Sequence, residues 1–339
     1  MAKDLLGIDI GYDRMKLAWV SGGQVKKTVS VPMPEKLLKE GRVVSIETMG
    51  EMLRNTVKEQ GIKCKNAAIV LSGETVFIRN VTMPQMNEEQ LRYNLPYEFR
   101  DYITEELKDY IFDYAMISTP EELKAAGKTD APDAPGSRIM ELMAVAVRSE
   151  LIGELTEMVR KGGLRLTKAA PGISAYTALI RRHPQLMQGG ECCILDLGYE
   201  AIRMYIFKGD CHMVTRELEG GMARIDEVIA DQLNVDVHLA HTYALANYEG
   251  CMDLPAVQMA MERIGIDLMR AFNFYAFNNP DSVLSDIYLC GGGAAVRQLR
   301  TAIGQNISMT IHEAAELLPQ GAAGEESYSF VQAIGITMD

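Results

Sequence analysis

Two stretches of this chain, about half its length apart, follow one plan, and that repetition restricts the possible folds more than any other feature. In residues 5–20, LLGIDIGYDRMKLAWV, an apolar run reaches Ile10 with Asp9 set into it. Gly11 follows at once, and Met15, Lys16, Leu17 and Trp19 resume an extended run. The pattern predicts a β-hairpin. In residues 191–210, ECCILDLGYEAIRMYIFKGD, the apolar run carries Asp196 and then Gly198. Ile202, Met204 and Ile206 then fall on one face of a second strand that closes at Lys208-Gly209-Asp210. One acid and one glycine in a hairpin is ordinary turn chemistry. Two copies predict two similar halves facing a shared cleft. An acid near the end of a buried strand, followed by a glycine that lets backbone N–H groups approach a ligand, suits a phosphate and its metal; Lys16 adds a cationic contact.

A third element, SDIYLCGGGAAVRQLRTAIG at 285–304, supplies a strand, the triple glycine Gly291, Gly292 and Gly293, and a helix start. Glycines there let a flat ring lie against backbone. In this order the three elements resemble the phosphate-1, phosphate-2 and adenosine motifs of the actin-like ATPase superfamily of actin, the large heat-shock chaperones and sugar kinases. Within it the chain is most similar to the PilM family of type IV pilus assembly, relatives of the cell-division protein FtsA. The similarity extends through MPQMNEEQLRYNLPYEFRDYITEELKDYIFDYAMI, RELEGGMARIDEVIADQLNVDVHLA and FVQAIGITM.

The resemblance implies an α/β, actin-like ATPase fold: two RNase H-like domains flanking a nucleotide cleft, with an inserted α+β subdomain of the 1C type and a helical 2B subdomain. The expected division is 1–74 and 164–186 for subdomain 1A, 75–163 for 1C, 187–222 and 284–339 for 2A, and 223–283 for 2B. ATP and Mg²⁺ are implied as well. Asp9 and Asp196 would hold the metal, mostly through water. Gly11, Tyr12 and Lys16 would face the β-phosphate side and Gly198 and Tyr199 the other, with Gly220 and Gly221 also binding the cofactor and Gly291, Gly292 and Gly293 at the adenosine. The implied partner is the cytoplasmic tail of a PilN-like membrane protein, docked in a groove between 1A and 1C. Tyr93, Leu95, Tyr97, Phe99 and Tyr102 are candidates to line it, since aromatic side chains bind an extended peptide with little loss of entropy. For any one of these residues a place in the module's own core is the commoner role, and homo-oligomerisation stays open.

Three departures from the family pattern weigh against catalysis. Tyr12 and Asp13 stand where a small hydroxyl usually follows the first-loop glycine, and Asp13 adds negative charge beside a polyphosphate. Ile202 replaces a common threonine, with Glu200 another acid nearby. Ala170 and Gly172 in KAAPGISAY occupy places where related sequences tend to carry Asp and Glu. Hydrolysis needs a positioned nucleophile as well as a metal-bound triphosphate. The expectation is therefore an ATP-binding or pseudo-ATPase scaffold without a catalytic residue. A sugar-kinase-like phosphotransferase is the rival reading, but it lacks a candidate catalytic acid here. An FtsA-like filament former is another; its amphipathic terminal helix has no counterpart before the ending GITMD.

Charge and hydropathy narrow the surroundings. A formal net charge of −12 over 339 residues disfavours nucleic acid, which needs a basic face, and direct binding to anionic lipid. The six cysteines, at 64, 192, 193, 211, 251 and 290, show no metal-type spacing and read as small apolar residues of a reducing compartment. MAKDLL opens no signal peptide, and no apolar run has transmembrane length. The chain is expected to be cytoplasmic, reaching the membrane's inner face only through its partner.

Between the motifs, a third strand is expected at 25–31, a helix at 45–60 and a buried strand at 67–73, where Ser72 reads as a turn residue. In the module, Asn87 is expected to cap a helix, and Tyr110, Phe112, Tyr114 and Met116 to share one strand face. Residues 118–137, rich in Pro, Ala, Gly and charge, read as a mobile hairpin loop, and Ser149 is expected to cap a helix over 150–161. Helices at 223–233, 236–247 and 255–278 would form 2B. A final strand, the glycine motif and two helices would close 2A.

Overall fold

Strand β1 (Leu5–Ile10) turns at Gly11 and pairs antiparallel with β2 (Arg14–Ser21), which pairs in turn with β3 (Gln24–Pro32). These features come from a computed structural model that describes residues 4–118, 139–188, 190–319, 322 and 326–338. The Gly11 N–H donates to the Arg14 carbonyl at 3.0 Å, and the resulting register sets Asp9 opposite Lys16. A short ribbon of β4 (Leu38–Lys39) and β5 (Arg42–Val43) leads to α1 (Ile46–Glu59). The Ser45 hydroxyl caps this helix, and Met49 and Leu53 bury its apolar stripe. β6 (Asn66–Leu71) then runs parallel to β1.

The inserted module comprises β7 (Val76–Pro84), α2 (Glu88–Asn94), β8 (Tyr110–Ser118) and β9 (Ile139–Arg148), with its strands in the order β7-β9-β8. Asn87 and Gln90 close a capping box at the start of α2. The loop expected at 118–137 lies, beyond Ser118, outside the described residues. The module has its own core, in which Leu91, Leu95, Phe99, Leu142 and Ala146 are buried together. This corrects the expectation for two groove candidates. The 3₁₀ turn after α2 folds Leu95 and Phe99 against the sheet, leaving them 1% and 0% exposed, whereas Tyr93, Tyr97 and Tyr102 stay exposed.

Helix α3 (Ser149–Lys161) continues directly from β9. Ser149 is its first helical residue rather than its cap; Arg148 takes the cap position without a side-chain bond. Nor does α3 belong to the module, as a boundary at 163 supposed. Leu151, Leu155, Met158 and Val159 form a stripe that enters the same core as Met49, Leu53, Leu6 and Ile8. The module therefore ends with β9. β10 (Arg165–Pro171) joins β6 in parallel to complete a sheet of order β10-β6-β1-β2-β3, then runs into α4 (Gly172–Ile180) and the short α5 (Pro184–Met187).

The second half repeats this plan. β11 (Glu191–Leu197), β12 (Ala201–Lys208) and β13 (Cys211–Glu219) form an antiparallel meander. Helices α6 (Met222–Leu233), α7 (Val237–Ala246) and α8 (Pro255–Asn278) follow. β14 (Asp286–Cys290) returns parallel to β11, and after α9 (Arg297–Asn306) comes β15 (Thr310–Glu313), giving the order β13-β12-β11-β14-β15. Strand for strand, this matches the first sheet. β15 was not expected, since a run of four residues, TIHE, is too short to register as a strand.

The end of the chain corrects a second boundary. Residues after 284 were expected to close the second half, but α10 (Val331–Gly335) crosses back onto the first sheet. Ile336 packs with Ala68, Val70 and Ala175. Gly7 makes the approach possible, because a Cβ there would lie 1.7 Å from the Ala333 carbonyl oxygen. A core that includes Tyr176, Ile194, Phe207, Val331 and Ile334 thus joins the two halves behind the cleft.

Two stability predictions follow from this packing. Gly7→Ala should push α10 off β1 and cost on the order of 3 kcal/mol in urea unfolding, the upper end for overpacking; an unchanged midpoint would contradict the close approach. Phe99→Ala should cost about 3–5 kcal/mol, while Tyr93→Ala leaves the midpoint where it was.

Candidate functional site

A cleft of about 980 Å³ lies between the two halves, and both hairpin turns and the triple glycine open onto it. Asp9, Gly11, Tyr12, Lys16, Asp196, Gly198, Tyr199, Gly291, Gly292 and Gly293 all line this one cavity. Gly220 and Gly221 do not. They support the second loop from behind, where a Cβ on Gly221 would meet the Gly198 and Tyr199 carbonyl oxygens at 2.3 and 2.6 Å, and both glycine N–H groups donate to the Glu200 carbonyl. The expected contact of these two with a ligand is thereby corrected to a structural one.

The floor of the cleft is an ion cluster. Lys16 Nζ donates to Asp9 Oδ2 at 3.3 Å. Burial alone would lower the Lys16 pKa, but the charges of Asp9 and Asp196 outweigh it and raise the value. Asp196 Oδ2 accepts from Gln332 Nε2 at 2.8 Å and from the Tyr176 hydroxyl at 3.2 Å, and Gln332 Nε2 also donates to the Tyr176 oxygen at 2.8 Å. Burial raises the Asp196 pKa, with Lys16 opposing it. Gly291, at φ 83°, passes so close that a Cβ would lie 2.3 Å from Asp196 Oδ1. No residue but glycine suits that position.

Asp9 and Asp196 offer hard oxygen donors from opposite sheets. Among the described residues no group of three or more His, Cys, Asp or Glu could hold a metal ion. That donor set fits Mg²⁺, which commonly takes one or two carboxylates and completes its shell with water and ligand phosphates.

The residues that departed from the family pattern have partners of their own. Tyr12 donates its hydroxyl to Glu74 Oε2 at 2.7 Å and accepts from the Gly41 N–H at 2.9 Å; burial and Glu74 push its pKa up to about 12. Asp13 lies 3.1 Å from His241 Nε2, and His241 Nδ1 lies 2.7 Å from Asp226 Oδ2. Burial would raise the Asp13 pKa, but the hydrogen bond and charge of His241 lower it. Bonds to Asp13 and Asp226 push His241 up to about 10.

Sequence reasoning missed Glu74, Arg203, Asp226, His241 and Gln332. Only one of these left a readable signal. Arg203 stands opposite Asp196 in the β11-β12 register as Lys16 stands opposite Asp9 in the first hairpin, at the same spacing. Its guanidinium is turned toward Glu217 at 2.6 Å and Glu74 at 3.4 Å.

The pH dependence of the His241 bridge follows from its sign. A raised imidazole pKa gives stability that is complete below the ordinary value of 6.5 and is lost as pH climbs through about 10. On the acid side, the Asp13 contact is lost when that carboxylate protonates, below its ordinary 3.8. NMR of the ring should find His241 still protonated at about pH 8; a midpoint near that of free histidine would refute the paired geometry.

Over residues 7–318 the sequence matches the family described as type IV pilus assembly protein PilM. No curated protein matches it. Among solved structures, a PilM-PilN type IV pilus biogenesis complex aligns with a TM-score of 0.78 at 22% identity, covering 99% of this chain and 98% of that one. The ethanolamine utilization protein EutJ from Carboxydothermus hydrogenoformans aligns with a TM-score of 0.60 at 13% identity, covering 98% and 88%. At these identities the likeness is one of fold. No helix among the described residues is long and apolar enough to cross a membrane. With two sheets of equal topology around one cleft and a family match over most of its length, the chain has the actin-like ATPase fold and belongs to the PilM family of type IV pilus assembly proteins.

Proposed function

We propose that this chain is an actin-like scaffold of a type IV pilus, or related type II secretion or competence, assembly apparatus. It binds the cytoplasmic tail of a PilN-like membrane protein, sits at the inner face of the membrane through that partner, and takes Mg-ATP in its cleft with hydrolysis weak or absent. The observation that carries this reading is the family match across residues 7–318.

The inserted module supports the docking role. Tyr93, Tyr97 and Tyr102 are 71%, 43% and 53% exposed, yet each is held in place. The Arg79 guanidinium stacks 3.7 Å from the Tyr102 ring centroid, Arg100 lies 4.8 Å from that of Tyr97, and the Tyr93 and Tyr97 rings meet edge to face at 6.0 Å. Pre-ordered aromatic rings lose little entropy on binding a peptide. Leu95 and Phe99 take no part in the docking surface.

The cleft supports binding better than turnover. Lys16, the glycines and the carboxylate pair suit a Mg-nucleotide. The place where a water-positioning acid would stand is Gly172, and the Gln332 amide fills it, with Oε1 2.8 Å from the site of a Cβ. That amide is committed to Asp196 and Tyr176 and is no base.

Calorimetry with Mg-ATP should show binding that weakens about tenfold or more in Lys16→Ala. Turnover clearly above background and lost in Asp196→Ala would overturn the scaffold reading. A PilN-tail peptide should bind about tenfold more weakly to Tyr97→Ala/Tyr102→Ala; equal affinity would remove these tyrosines from the docking surface.

A further inference from the structure

We propose that His241 is a charge latch across the cleft: a doubly donating imidazolium that ties the first hairpin turn of one half to the helical wall of the other, so that opening the cleft requires breaking its contact with Asp13. This goes beyond the docking and nucleotide readings and depends on neither.

The geometry fixes the charge state. Nε2 of His241 faces Asp13 Oδ1 at 3.1 Å and Nδ1 faces Asp226 Oδ2 at 2.7 Å. Ionised carboxylates only accept hydrogen bonds, so both ring nitrogens must carry a proton, and such a ring is cationic. Asp226 on α6 is fully buried, which anchors that side of the ring. Asp13, from the turn between β1 and β2, is part-exposed and is the contact that can break. The edge of the Tyr199 ring meets the imidazole at 5.3 Å and 88° and holds its plane.

The two carboxylates in contact with the ring favour this assignment, and the nearest cations lie on the far side of Asp13. Asp13 faces it from the first half, with Arg14 and Lys16 behind, and Asp226 faces it from α6. One turn earlier on α7, His238 approaches Glu35 of the first half at 3.4 Å, an exposed pair that adds little. Arg203 of the second half reaches Glu74 of the first, which also holds Tyr12, the neighbour of Asp13. The latch therefore works alongside a second, longer bridge between the halves, at 3.4 Å.

The test is hydrogen exchange of the 11–14 amides, measured on nucleotide-free protein. His241→Gln and Asp13→Asn should each speed that exchange about tenfold, the size expected for one charge-assisted hydrogen bond. The double variant should exchange no faster than either single one, because both break the same contact. His241→Arg, which keeps a cation with several donors, should restore most of the protection. Unchanged exchange in both single variants, or effects that multiply in the double variant, would overturn the latch. Asp13 is part-exposed, so Asp13→Asn keeps the test decisive if His241→Gln does not fold. A Mg-ATP titration of the same proteins reports separately on the nucleotide reading.

Discussion

One ammonium group makes the rest of the cleft possible. Asp9 ends the central strand of the first sheet and Asp196 that of the second, and the fold turns both into one cavity. Two carboxylates placed so would repel. Lys16 at 3.3 Å from Asp9, with Asp196 also acting on it, supplies attraction on the order of 4 kcal/mol at an effective dielectric of about 20. Desolvation offsets much of that gain. The cluster thus adds little net stability and instead sets geometry: with Lys16 removed, two half-buried carboxylates would lack a counter-charge, and the sheets would be driven apart at the floor of the cleft. The hairpin register decides this, because pairing Asp9 opposite Lys16 is what puts acid and base on the same face.

The same economy of charge extends through the walls. Asp13, the most awkward residue for a phosphate site when read from sequence, has its charge met by His241. Glu74 is met by Tyr12 and Arg203. Of the two acids that set this chain apart from its family's pattern, Asp13 is therefore tied up in a contact across the cleft, whereas Glu200 has its pKa raised by burial and by the charges of Glu74 and Glu227. An acidic lining and an anionic ligand are compatible only when the carboxylates have internal partners.

What was legible in the sequence was whatever local pattern dictates. Alternation around Asp9 and Asp196 gave both hairpins, and the triple glycine marked a close approach that Gly291 makes against Asp196. The first helix was visible from the apolar spacing of Ile46, Met49, Leu53 and Val57. What was not legible depends on contacts distant in sequence. The stripe of α3 could be read, but not that it faces α1 instead of the module. Nothing local in FVQAIGITM says that its helix returns to β1; Gly7, more than three hundred residues away, is what receives it. Leu95 and Phe99 alternate with exposed tyrosines, and only the 3₁₀ turn decides which go inside. His241 sits in a helix whose own residues give no hint of Asp13, 228 positions earlier.

The module and the cleft are joined at one short turn. Ser72 caps the 3₁₀ turn Gly73–Thr75, with its hydroxyl accepting from the Glu74 N–H at 3.4 Å, and β7 of the module begins at Val76. Val76 and Ile78 themselves line the cleft. Glu74 is bonded both to Tyr12 of its own half and to Arg203 of the other. Any motion that separates the halves must break or drag the Arg203 contact, and Glu74 lies two residues from the start of β7. The return of the chain is stiffer: β9 runs without a loop into α3, which Arg42 clamps through Glu150 at 3.2 Å and Glu154 at 3.0 Å. Because β7 is paired with β9 along its whole length, a pull transmitted through Glu74 meets a sheet already fixed to α3, so the module resists it as one block.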